Sequence, residues 1–123
     1  MAEITSFDEF LNAASLKVEP VDVSEWMDAQ FFVKEMDAEA FGKFIQLQQE
    51  TKGDDGNSSF TIEHMSLISA MTMCNSDGEL IVSRDDWQES AKMLPRSLKY
   101  EALVAISGAA LKVSGFTEES GKE

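Results

Sequence analysis

The first apolar positions of the chain recur at helical spacing, as Phe7, Phe10, Leu11 and Ala14. Ser6 followed by Glu9 forms a capping box ahead of them, so a short helix is predicted over about 7–16. Val18, Val21 and Val23 then favour an extended chain, and Pro20 among them restricts it to an edge strand. A turn over 24–28 carries Trp26. A second strand over 30–36 places Phe31 and Val33 on one face and Phe32 and Lys34 on the other, close enough to pair with the first as a hairpin.

Asp37 is placed to cap the next helix, whose Ala40, Phe41, Phe44, Ile45 and Gln48 share one face and which ends near Lys52. Positions 53–59 are polar and hold two glycines, a loop pattern. Over about 61–74 the pattern is apolar nearly all round, through Ile62, Met65, Leu67, Ile68, Met71 and Met73, which predicts a central or interfacial helix. Asp77-Gly78 marks a turn with Gly78 at positive φ, and Leu80 to Val82 a brief extended stretch. Ser83 with Asp86 opens a fourth helix carrying Trp87, Ala91 and Leu94, ended by Pro95. Leu98, Ala102, Ile106, Ala109 and Val113 mark a last long helix. The expected fold is α+β, mainly α, with about five helices and one small N-terminal β-hairpin, in a single domain over 1–116 with a flexible tail over 117–123. Phe31, Phe41, Phe44 and Trp87 are expected in one core.

With 123 residues, 43% of them hydrophobic, the chain can build such a core. No apolar run approaches the roughly 20 residues of a spanning helix. Met1 to Phe10 carries no basic residue, unlike a secretory signal, and Cys74 is the single cysteine; both predict a cytoplasmic protein. The net charge of −13 makes nucleic acid and anionic membrane surfaces poor partners. Acidic residues crowd positions 1–90, whereas Lys92, Arg96 and Lys99 cluster beyond them. Such a basic face could meet an acidic surface, including that of a second copy, beside the small residues Ala102, Ala105, Ala109 and Ala110.

Candidate chemistry is sparse, and no catalytic, cofactor-binding or metal-ligating residue is assigned. His64 is the single histidine, without an orienting partner in its pattern, and reads as a surface or packing residue. Cys74 reads as a small buried apolar side chain. Gly53 and Gly56 lack the Lys-Ser or Lys-Thr pair of a phosphate loop. Setting Gly78 at the invariant glycine of a calcium loop places Asn75 and Asp77 on ligand positions. It also puts Met73 at the first position and Arg84 at the closing one, where oxygen donors are required. A binding protein, not an enzyme, is therefore expected.

The stretches K-V-E-P-V-D-V-S-E-W (17–26) and F-F-V-K-E-M-D (31–37) resemble the opening of tail assembly chaperones of long-tailed bacteriophages. The resemblance continues through C-N-S-D-G-E-L-I-V-S-R-D-D (74–86) and L-V-A-I-S-G-A-A-L (103–111), covering about 18–116. Met27 and Val82 stand where that family often has Gly and Phe. The resemblance implies a protein that binds the tape measure protein in the host cytoplasm, keeps it soluble and is absent from the finished virion. It also implies self-association into a homo-oligomer, with the major tail protein as a further candidate partner. Met-rich apolar faces adapt to varied helical segments, and Trp26, Phe32, Met65, Met71, Lys92, Arg96 and Lys99 are the candidate protein-binding residues. The alternatives are a structural or completion protein of the tail and a degenerate EF-hand-like regulator.

Overall fold

Three short strands and five α-helices follow the chain in the computed structural model, which describes residues 3–14, 16–23, 25–50 and 61–115. Strands β1 (Val18–Val21), β2 (Phe31–Lys34) and β3 (Met73–Cys74) form an antiparallel sheet in that order. Val18 pairs with Lys34 and Val21 with Phe31, so Pro20 sits on an edge strand whose outer side needs no amide. The helices are α1 (Phe7–Ala13), α2 (Ala38–Glu50), α3 (Ile62–Thr72), α4 (Trp87–Ser97) and α5 (Tyr100–Val113). The fold is thus α+β and mainly α.

Helix α3 is the hub. It packs against α2, α4, α5 and β2, and every residue from His64 to Thr72 is buried. A helix surrounded in this way must also satisfy its hydroxyls internally. Thr72 Oγ1 donates to the Ile68 carbonyl at 2.7 Å, and in α5 Ser107 Oγ donates to the Leu103 carbonyl at 2.8 Å. Helix α5 covers β1 and β2, and the core joins Val21, Val23, Val33, Phe44, Ile68, Trp87 and Ile106. Ser114 Oγ accepts from the Met36 amide at 2.9 Å, tying the end of α5 to the exit of β2.

The chain departs from the sequence pattern at several points. Strand β3 is the last part of the segment expected to be helical: at Met73 the backbone turns extended, and Met73 and Cys74 complete the free edge of Val33 and Phe32. The hairpin becomes a three-stranded sheet. Helix α1 ends at Ala13, short of 16. Pro95 does not end α4, which runs on to Ser97. It falls in the last turn, where its missing amide removes one helical bond and the Leu98 amide still reaches the Leu94 carbonyl at 3.0 Å. Phe44 and Trp87 are core residues and Phe31 packs against that core, but Phe41 lies at its margin, 36% exposed. The predicted loop over 53–59 and tail over 117–123 lie outside the described residues.

Candidate functional site

Helices α2 and α4 flank α3 from opposite sides, leaving a groove with α3 as its floor. Lys43, Gln46, Leu47 and Glu50 face it from α2, and Gln88, Ala91, Lys92 and Pro95 from α4. Each set has the i, i+3, i+4, i+7 spacing of one helix face. Ile62, Glu63, Ser66 and Leu67 supply the floor. The hollow holds about 310 Å³, and the short side chains Ala91 and Ser66 are among its lining. A second hollow shares Lys43, Leu67 and Gln88 with the first and extends along α4 to Arg84 and Trp87.

Ser66 Oγ and Trp87 Nε1 are buried without a hydrogen-bond partner, as is Ser69 Oγ of α3, which lines neither hollow. A buried unpaired donor or acceptor costs about 1–3 kcal/mol. The lining otherwise combines apolar side chains, Ile62 and Leu67 of the floor and Leu47 of α2, with an exposed rim of mixed charge.

The neighbourhood of the groove is held by local chemistry. The Asp37 carboxylate accepts from the Ala40 amide at 2.9 Å, capping α2. Arg84 binds Asp37 and Glu39 through separate guanidinium nitrogens, each at 2.6 Å, and lies 5.1 Å above the Trp87 ring. Burial alone would raise the Asp37 carboxyl, but the Arg84 hydrogen bond, the Ala40 amide and the charges of Arg84 and Lys34 hold it below the usual range. At the start of α3 the Thr61 amide donates to His64 Nδ1 at 3.0 Å, which leaves the ring proton on Nε2. The His64 ring also meets Phe44 edge-on, with centroids 5.9 Å apart. Burial pushes the His64 pKa down, with the Glu63 charge opposing, so the ring is a neutral packing and capping group. Burial likewise raises the Cys74 thiol, against the pull of Lys34.

The Asn75–Glu79 turn is closed by its own atoms. Asn75 Oδ1 accepts from the Asp77 and Glu79 amides at 2.9 and 3.0 Å, and Gly78 adopts φ 82. Arg84, at the closing position of the calcium-loop alignment, is committed to Asp37 and Glu39. Among the described residues, no group of three or more His, Cys, Asp or Glu side chains is placed to hold a metal ion.

Of the candidate protein-binding residues, the groove contains only Lys92. Met65 and Met71 are 8% and 2% exposed and belong to the core rather than to a contact surface. Trp26 and Phe32 are half-buried, Trp26 packed against the core and Phe32 within the sheet. Arg96 and Lys99 are exposed but lie outside the groove. Ala102 and Ala110 are fully buried, so the small-residue face of α5 serves internal packing. The face spacing shared by α2 and α4 was the sequence signal available for the groove. No protein-family model, curated protein or solved structure matches the chain. No helix among the described residues is long and apolar enough to cross a membrane.

Proposed function

We propose that this protein is a tail assembly chaperone of a long-tailed bacteriophage, which captures an apolar helical segment of the tape measure protein in the α2–α4 groove. The observation that carries the binding reading is the groove itself, apolar at Ile62, Leu67 and Leu47 between two exposed helix faces. A helix presenting apolar side chains at i, i+3 and i+4 fits such a groove. The order of motifs from Lys17 to Leu111 supports the choice of the tail-assembly class over other helix binders. The strong negative charge would keep a complex with a long apolar partner in solution, in the host cytoplasm.

The test is capture of a tape measure protein by the parent chain and by Ile62→Lys, co-expressed with it. Ile62 lines the groove yet is 46% exposed, so the substitution should spare the melting temperature. Capture should fall about tenfold or more. Equal capture by both chains overturns the groove assignment. Protein-composition analysis of purified particles separates the chaperone from a structural tail component: the chaperone is absent, and stable incorporation overturns this reading.

A further inference from the structure

Helix α1 presents its apolar side chains to solvent. Ile4, Phe7, Phe10 and Leu11 are 49%, 73%, 52% and 53% exposed, and the Phe7 and Phe10 rings stack on each other 6.4 Å apart. Among the described residues, no other helix or strand gives α1 more than a marginal contact. Seven residues are too few for a stable isolated helix. Yet α1 is well specified locally: Ser6 Oγ accepts from the Glu9 amide at 3.1 Å, and the Glu9 carboxylate accepts from the Thr5 amide at 3.1 Å. A capped helix with an uncovered apolar stripe is built to be covered by something.

We infer that α1 is a docking arm, covered in solution by the α4–α5 junction of a second copy of this chain. The arm is acidic, with Glu3, Asp8 and Glu9 and no basic residue over 3–14. The junction is its complement in an otherwise acidic protein. Arg96 and Lys99 stand exposed there and take part in no ion pair among the described residues. Around them Met93, Tyr100 and Val104 are 65%, 57% and 41% exposed, and Tyr100 and Val104 share a face of α5 at i, i+4 spacing. Apolar side chains with acidic flanks on one element, and apolar side chains with basic flanks on another, form a complementary pair whose contact joins two copies. The inference does not rest on the tape measure reading, because neither the arm nor Arg96, Lys99, Met93, Tyr100 and Val104 line the groove.

The experiment is sedimentation equilibrium on the full chain at low and high salt. The parent should associate with rising concentration, less so at high salt, because exposed charges are screened. Phe7→Ser with Phe10→Ser, and separately Arg96→Glu with Lys99→Glu, should each raise the dissociation constant about tenfold or more. All these side chains are exposed, so circular dichroism and melting should match the parent. A chain carrying Arg96→Glu and Lys99→Glu together with Glu3→Lys and Asp8→Lys should regain association, since the charges are exchanged across the contact. These reversals spare Ser6 and Glu9, which hold the helix. A parent that is monomeric at every concentration overturns the inference. So does association undiminished in either double variant, or a failure of the exchanged-charge chain to recover.

Discussion

Arg84 Nη2 lies 2.6 Å from Asp37 Oδ2, a contact that joins residues 47 positions apart and pins the start of α2 to the entrance of α4. These are the two helices that wall the groove, so the pair sets one end of its width. Both side chains keep some solvent, 43% and 29% exposed, so screening limits the contribution. Arg84→Met should lower stability by about 0.5–1 kcal/mol at neutral pH. The Asp37 carboxyl is depressed in the folded state. Its contribution is therefore fully present above the ordinary aspartate value of about 3.9 and is lost as pH falls through the lower folded value. Urea melts of parent and variant should differ at pH 7 and converge in acid; a gap that widens on acidification contradicts the assignment.

His64 acts in the same direction at higher pH. Its folded pKa lies below its unfolded one, so the unfolded chain takes up a proton first as pH falls. Stability should therefore be full above about pH 6.5 and decline as pH drops through the unfolded value toward the folded one. His64→Gln keeps an acceptor for the Thr61 amide, as in an ordinary capping box, and carries no titrating ring. The variant should lose the decline in stability that the parent shows as pH falls below the ordinary histidine value of about 6.5. Parallel profiles for the two chains would place the titrating group elsewhere.

Gly78 tests the turn. It adopts φ 82, and a Cβ built there meets Val18 Cγ2 at 3.3 Å. Gly78→Ala combines left-handed backbone with a tight contact to β1, and should cost about 1–2 kcal/mol. Added calcium should leave the melting temperature of the parent unchanged, because Asn75 Oδ1 is already engaged by two amides. A calcium-dependent rise would reinstate the metal reading.

Signals that act within a few residues were legible in the sequence. Asp37 caps α2, Ser6 caps α1, Gly78 takes positive φ and Pro20 sits on the sheet edge, each decided by local backbone chemistry. Features that depend on distant partners were not. Met73–Cys74 is a strand only because β2 offers an open edge, and nothing in Met-Cys announces it. Met65 and Met71 are core because four elements close around α3, a matter of arrangement. The groove is legible least of all, since it depends on how α2 and α4 are placed about α3, which the face spacing of each helix does not announce. Phe41 shows the same limit: helical spacing placed it with Phe44, but they end 6.3 Å apart with only Phe44 buried. Phe44→Ala should cost about 3–5 kcal/mol, and Phe41→Ala about 1 kcal/mol or less. Equal losses in thermal melts would refute that division of the α2 face.

Ser66 and Ser107 provide a matched pair. Both are serines buried in helices, at 1% and 2% exposure, but only Ser107 Oγ has an acceptor, the Leu103 carbonyl. Ser107→Ala removes a made hydrogen bond and should cost about 1 kcal/mol. Ser66→Ala removes a hydroxyl that the fold leaves unpaired, so it should be neutral or raise the melting temperature. The two alanine variants should therefore differ by about 1 kcal/mol or more in stability, although both remove the same hydroxyl from a buried helical serine. Melting curves decide it: a Ser66→Ala chain destabilised as much as Ser107→Ala would show that the Ser66 hydroxyl makes a hydrogen bond after all.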